Sequence, residues 1–374
     1  VRIAITGGMG FIGQALARNL LRGGHDVLLI DNLSPQIHGD IPRATTPEGA
    51  SLRRLDIKEI VDDHTLIDGC DAVYHLAAET GTAQSMYRIR HYVSVNELGT
   101  GALLEALAKC ERRPAKLVLA SSRSVYGEGA YIDPREPARI IQPTSRTPEQ
   151  LAAGNWELLA TDGHPLQPVA TPENLSFAPG SVYAATKAAQ ELLIRSAAPA
   201  LGITPVVLRF QNVFGEGQSL QNPYTGIISI FFNRARQGLP IALFEDGLES
   251  RDFVHIDDIV GGLVASLFAD VPDEEAINLG AGEPTTVAQL AEALVEASGH
   301  AVQTNVTGEY RVGDIRHCYA DIDRARRYLG YSPQVSLADG LARFCAWAES
   351  QPAFEDRSER AMAELRERKL ASAG

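Results

Sequence analysis

Thr6-Gly7-Gly8-Met9-Gly10-Phe11-Ile12-Gly13 joins a short β-branched run, residues 2–6, to an amphipathic segment, residues 11–22. Glycines at a strand-to-helix junction let the chain turn tightly. They also let a pyrophosphate approach the first turn of the helix, where free N–H groups and the dipole favour negative charge. The spacing is Gly7-x-x-Gly10-x-x-Gly13 rather than Gly-x-Gly-x-x-Gly, and a lone glycine loop is a weak signal. Here an acid closes the next apolar run, Leu28-Leu29-Ile30-Asp31-Asn32. A carboxylate at that point accepts ribose hydroxyls and repels a 2′-phosphate. No arginine follows directly, so NAD is favoured over NADP. Gly7, Gly10, Phe11, Ile12 and Gly13 form the candidate pyrophosphate cradle, with Asp31 and Asn32 at the ribose. Asp56, followed by Ile57, either faces the adenine edge or is an exposed loop acid.

Outward from that loop, β-branched runs at 2–6, 26–30, 51–54, 72–75 and 116–120 alternate with helical segments at 11–22, 57–67 and 96–110. A further strand is expected at 205–209. This alternation predicts βαβ units and an α/β fold, a Rossmann-type doubly wound parallel sheet. Residues 133–178 are rich in Pro, Thr and Glu, with a short helical patch at 149–159, and read as an insertion or lid. Past residue 215 the rhythm becomes irregular, with helices near 226–237 and 287–297. The expected division is a dinucleotide-binding domain at 1–214 with a returning segment at 252–270, and a smaller α/β substrate-binding domain at 215–350. Residues 351–374 form a charged end whose stretch 355–369 reads as a solvated helix.

Composition narrows the class. The formal net charge of −13 argues against nonspecific nucleic-acid binding, which needs a basic footprint. An anionic ligand must then be held by a local cluster of arginines or backbone amides. No run of about 18 apolar residues is present, so no membrane span is expected. The opening residues lack the layout of a signal peptide. Cys70, Cys110, Cys318 and Cys345 are scattered, which suits reduced structural thiols in a cytoplasmic protein and offers no metal site.

Ser181-Val182-Tyr183-Ala184-Ala185-Thr186-Lys187 places a phenol and an ammonium on one face of a predicted helix. A lone phenol titrates near pH ~10, and a neighbouring cation favours its phenolate. The pair is therefore a candidate acid/base, although such spacing also arises by chance on many helices.

With the glycine loop, Asp31, His75-Leu76-Ala77-Ala78, Ser121-Ser122, Tyr126-Gly127 and the Tyr183/Lys187 pair in this order, the chain resembles the extended short-chain dehydrogenases/reductases. Within them it is similar to the nucleotide-sugar epimerase and dehydratase branch, over about residues 1–345. The resemblance implies a catalytic set of Ser122, Tyr183 and Lys187. Leu76, Ala77 and Ala78 would sit at the cofactor, and Thr82, Ser85 and Arg123 at the substrate. Asn212, Arg251 and Arg311 would hold a diphosphate, with Arg316 as a helper and His255 and Asp257 structural. It also implies bound NAD, a nucleotide-diphosphate sugar as substrate, and a homodimer built on the helices containing 96–110 and 183–195.

Dehydratases of that branch carry Asp-Glu after the catalytic Thr, whereas this chain has Arg123-Ser124. The expected reaction is therefore 4-epimerisation: transient oxidation at C4 and hydride return to the other face. Residues 75–85, 122–131 and 218–226 resemble the dTDP-L-rhamnose 4-epimerase type more than UDP-galactose 4-epimerases. No cysteine lies between Gly127 and Gly180, so the cysteine pairs of some similar proteins are missing. The competing readings are a net dehydrogenase or 4-ketoreductase, a UDP-sugar 4-epimerase, and a cofactor-sensing protein without turnover.

Overall fold

Seven parallel strands make the central sheet: β1 (Arg2–Thr6), β2 (Asp26–Asp31), β3 (Ser51–Arg54), β4 (Ala72–His75), β5 (Lys116–Ser122), β6 (Thr204–Phe210) and β7 (Ala276–Leu279). Their order is β7-β6-β5-β4-β1-β2-β3, so the winding reverses between β1 and β4. A ligand crevice opens beyond the carboxyl ends of the strands at such a switch point. The computed structural model describes residues 1–38, 45–221, 226–311, 313–352, 358–368 and 370–372. Residues 222–225, Val312, residues 353–357 and Lys369, all within segments singled out above, lie outside the described residues.

Both faces of the sheet are covered, as a parallel sheet requires. On one face α1 (Phe11–Arg22) packs Leu16, Ala17 and Leu20 over Ile3, Ile5 and Leu29. On the other, α2 (Gly99–Lys109) and α3 (Val182–Ala197) bring Leu103, Leu107 and Ile194 against Val73, Leu117 and Leu119. A separate core gathers Phe231 and Phe232 of α4 (Ile227–Arg236), Leu290 and Leu294 of α6 (Val287–Ser298) and Phe344 of α7 (Leu337–Glu349). Between these, α5 (Ile256–Phe268) returns to the first core through Ile259, Val260 and Leu263. The return runs on into β7, past the expected 252–270, so the first lobe takes its last strand from the later chain.

Three local differences have physical causes. Residues 57–67 form two 3-10 turns, Ile57–Glu59 and His64–Leu66, rather than one helix. Asp62 and Asp63 fall in the middle, and aspartates compete with the helical backbone for hydrogen bonds. Ahead of α2, Val93–Leu98 is a π-helical turn, and Gly99 admits the Ile57 side chain where a Cβ would lie 2.7 Å from Cγ2. The insertion is not a free flap. Its strands Ala130–Ile132, Ile140–Ile141 and Gln167–Val169 form a small antiparallel sheet, and its short helix is Pro148–Ala152. Among the described residues, no helix is long and apolar enough to cross a membrane.

Candidate active site

A continuous cleft of about 600 Å³ runs from the glycine loop, past the ends of β4 and β5, to the second lobe. Gly7, Gly10, Phe11, Ile12 and Gly13 line one end. The first bond of α1 runs from Gln14 N–H to the Gly10 carbonyl, so the amides ahead of it lie before the helical ladder, and no side chain caps them. Gly7 has φ +68°, and a Cβ there would sit 2.7 Å from the Ala77 nitrogen. At Gly13 a Cβ would sit 2.5 Å from the Gly7 carbonyl oxygen. The loop therefore closes upon itself as only glycine permits, leaving a backbone cradle suited to a pyrophosphate.

Asp31 is buried beside that cradle. Its carboxylate accepts the Met9 N–H at 3.0 Å and the Leu33 N–H at 2.8 Å, and the His38 imidazole lies 3.5 Å away. Two backbone donors fix it while further lone pairs stay available to a diol. Asn32, Ile57, Leu76, Ala77 and Ala78 line the same end. Asp56 does not line it: its carboxylate caps the Ile57–Glu59 turn through Lys58 N–H and accepts from Asn32 at 3.3 Å. The residues present fit NAD.

Buried polar contacts set the position of α3. Ser181 caps it by accepting the Ala184 N–H, and Ser85 Oγ accepts the Tyr183 N–H at 3.0 Å. Thr186 accepts from Asn96 at 2.9 Å, and Gln190 donates to Thr100 at 2.7 Å. His75 stands between Thr6 and Thr100, and burial holds its imidazole neutral, pushed down to about 3. Tyr183 and Lys187, one turn apart, both line the cleft beside Ser122. Ser122 ends β5, and its Oγ accepts the Ser124 N–H at 3.2 Å.

Burial pushes the Tyr183 phenol up, and a hydrogen bond with Ser122 and the charge of Arg123 offset this only in part. Lys187 Nζ, one turn beyond Tyr183, donates to the Ala120 carbonyl at 2.9 Å. Burial pushes Lys187 down to about 7, against the opposing charge of Glu191. The unfolded chain therefore holds one more proton than the fold between pH ~7 and ~10.5, and stability rises with pH through that window. The gain is at most about 1.4 kcal/mol per pH unit. Urea unfolding of the cofactor-free enzyme from pH 7 to 10 measures it, and Lys187→Met should lower the slope. Equal slopes would contradict the depressed value.

At the far end, Thr82, Arg123, Asn212, Arg251 and Arg311 line the cleft. Arg123 Nε donates to Asn212 Oδ1 at 3.0 Å. The Arg251 guanidinium is held by three carbonyls, those of Ser250, Ile315 and Arg316, at 2.7–3.0 Å. Arg311 donates to Asp314 at 2.9 Å and lies 5.0 Å from the Phe244 ring centre. Ser85 does not line the cleft; it is buried beneath it as the anchor of Tyr183. Arg316 is also no helper there. It is fully buried and paired with Glu157, Glu245 and Asp246, while Arg146 of the insertion donates to Glu245 at 2.7 Å and to the Asp314 carbonyl at 2.9 Å. This ion cluster fastens residues 133–178 to the second lobe. His255 caps α5 and pairs with Glu216, and Asp257 pairs with Arg343.

Sequence reasoning passed over His38, Phe244, Glu245, Glu249 and Tyr310, all of which line the cleft. Glu249 is buried, and burial pushes its carboxyl up to about 7. Its place two residues before Arg251 was the available signal. Glu245 holds φ +49°, a strained position for a residue other than glycine. Among the described residues, no group of His, Cys, Asp and Glu is arranged to hold a metal.

The chain matches the model of the NAD-dependent epimerase/dehydratase family over residues 3–153 and 158–280. It is 36% identical over 349 residues to a dTDP-L-rhamnose 4-epimerase of Burkholderia thailandensis, covering 92% of this chain and 94% of that one. Among solved structures, the UDP-glucuronic acid 4-epimerase of Bacillus cereus with UDP-glucuronic acid and NAD superposes with TM-score 0.75 at 28% identity, covering 93% of this chain and 99% of the other. The UDP-glucose 4-epimerase of Thermotoga maritima with UDP-glucose gives TM-score 0.75 at 26% identity, over 93% and 99%. A glycine cradle with Asp31, a cleft-lining set of Ser122 with the buried Tyr183 and Lys187, and this likeness along nearly the whole chain agree, and the protein belongs to the NAD-dependent epimerase/dehydratase family.

Proposed function

We propose that the protein is a nucleotide-sugar 4-epimerase acting on a dTDP-6-deoxy-L-hexose such as dTDP-L-rhamnose. The observation that carries this is the set Ser122, Tyr183 and Lys187, placed between an NAD-type cradle and two cleft arginines, with Arg123 and Ser124 where a dehydratase-type acid pair would stand. The Burkholderia thailandensis relative supports the choice of sugar.

Gly7, Gly10, Phe11, Ile12 and Gly13 would hold the NAD pyrophosphate, Asp31 the adenosine ribose and Lys187 the nicotinamide ribose. NAD bound there would supply the hydride acceptor for the sugar C4 and the donor that returns the hydride to its opposite face. Tyr183 accepts the C4 hydroxyl proton as that carbon is oxidised and returns it to the product oxygen. Ser122 hydrogen-bonds the same oxygen as it gains carbonyl character. Burial disfavours the phenolate, so the Ser122 bond and the Arg123 charge are what bring Tyr183 toward a base. Arg251 and Arg311 hold the diphosphate, since planar guanidinium forks match phosphate oxygens. Arg251, pinned by three carbonyls, is pre-oriented for this.

Chromatography of dTDP-L-rhamnose incubated with the NAD-loaded enzyme tests the proposal. A second dTDP-6-deoxyhexose with no net NADH is expected. Turnover of UDP-sugars alone would favour a UDP-sugar 4-epimerase, and stoichiometric NADH consumption with a keto sugar would favour a 4-ketoreductase.

A homodimer in the cytoplasm is part of the same reading. Val93 and Leu98 before α2, and Leu192 and Leu193 on α3, are exposed at 37–59%. Apolar side chains gathered on adjoining helices are what a self-complementary interface covers. Light scattering should give a dimer, and Leu98→Glu with Leu192→Glu should give a monomer. A monomeric unmodified protein would remove the dimer.

A further inference from the structure

Most described side chains of the helix at the charged end are exposed, as expected of a solvated helix, but one side of it is docked. In α8 (Ser358–Glu367) Leu365 is only 3% exposed, and Ala371 beyond it is 7% exposed. The strand Ala371–Ser372 pairs antiparallel with Tyr310–Arg311, placing Ala371 opposite Arg311. Among the described residues, Tyr310–Arg311 has no other strand partner. Arg366 pairs with Glu309 at 2.6 Å on the same flank. The opposite side of the segment meets the first lobe: Tyr87 donates to Glu364 at 3.2 Å, and the Arg368 guanidinium lies 4.4 Å from the Tyr87 ring centre. Leu365 and Leu370 border a small cavity with Thr82, Ser181 and Arg311. The chain end thus spans from the segment that anchors Tyr183 to the strand that carries Arg311.

We infer that α8 and the strand Ala371–Ser372 are a clasp across the two lobes that positions Arg311 for the diphosphate of the substrate. The inference rests on the reading of the far end of the cleft as a nucleotide-sugar site. An edge strand without its neighbour has unpaired backbone groups and no fixed register. Arg311 has Asp314 within reach and depends on that strand to hold its guanidinium at the cleft rather than folded away. The clasp touches neither the glycine cradle nor Ser122 and Lys187, so its loss should leave cofactor binding intact.

The test uses the full-length, NAD-loaded enzyme carrying Leu365→Asp, with Arg366→Glu and the swap Glu309→Arg/Arg366→Glu alongside. Hydrogen exchange reports the pairing, calorimetry reports dTDP and dTDP-L-rhamnose binding, and kinetics separate KM from kcat. Leu365→Asp should lose exchange protection at both 310–311 and 371–372. It should weaken nucleotide-sugar binding and raise KM by about tenfold or more, the loss of one charge-assisted contact, with kcat and NAD content little changed. Arg366→Glu should act in the same direction but more weakly, and the charge swap should restore binding. Release of the segment with unchanged affinity would overturn the inference. So would retained protection in Leu365→Asp, or loss of NAD together with substrate, which marks a general structural role. An unmodified enzyme that binds neither dTDP- nor UDP-sugars would instead overturn the reading of the site, and the clasp's role with it.

Discussion

Tyr183→Phe lowers turnover by about 10³-fold or more, because proton transfer at the reacting oxygen contributes on the order of 10²–10⁴-fold and, among the described residues, Tyr183 is the phenol that lines the cleft beside Ser122. The substitution removes one oxygen from a side chain whose backbone N–H is fixed by Ser85, so α3 keeps its place. Lys187 stays on the Ala120 carbonyl and the glycine cradle is untouched. NAD content should be unchanged while single-turnover oxidation of the sugar disappears. Retained turnover would remove Tyr183 from its assigned role, and loss of NAD would mean that the side chain supports the fold instead.

Glu191→Ala should cost about 3–5 kcal/mol of stability, the usual result of stripping one partner from a buried ion pair. Glu191 is fully buried on α3, two turns beyond Tyr183. It accepts from Arg209 of β6 at 2.8 and 2.9 Å and from Ser121 of β5 at 2.5 Å. Arg209 is almost as buried, donates to the Tyr126 hydroxyl at 2.9 Å and lies over the Tyr126 and Phe177 rings. Without Glu191 that guanidinium stays buried with no counter-charge. The same loss removes the charge that holds Lys187 up, so its ammonium is driven lower still. Urea denaturation measures the stability, and the pair change Glu191→Leu/Arg209→Met should recover much of it. A midpoint equal to the unmodified protein would show that the pair is not what ties α3 to the sheet.

Six of the seven strands were legible as short runs alternating with helical segments. Five strands and α1 fall within a residue of their expected limits, and β5 runs two residues further. Strand β7 was not legible. Ala276–Leu279 is a four-residue run after an irregular stretch, and only pairing with β6 makes it part of the first lobe. The site divides in the same way. Residues fixed by local geometry, the glycines, Asp31, Tyr183 and Lys187, could be read from spacing. Those whose role depends on the direction of a side chain could not: Asp56 turns to cap its own helix turn, Ser85 turns beneath α3, and Arg316 turns into a buried cluster with Glu157, Glu245 and Asp246. The docking of α8 was hidden for a related reason, since its charges mask the single buried Leu365.

Reversible oxidation at C4 by a retained cofactor leaves its mark on the fate of the C4 hydrogen. Enzyme loaded with NAD is incubated in ordinary water with dTDP-L-rhamnose carrying deuterium at C4, and both sugars are recovered for mass and NMR analysis. The C4 epimer should form with its deuterium retained at C4, and Tyr183→Phe should form none. Deuterium lost to solvent, or no epimer at all, would contradict reversible oxidation at C4.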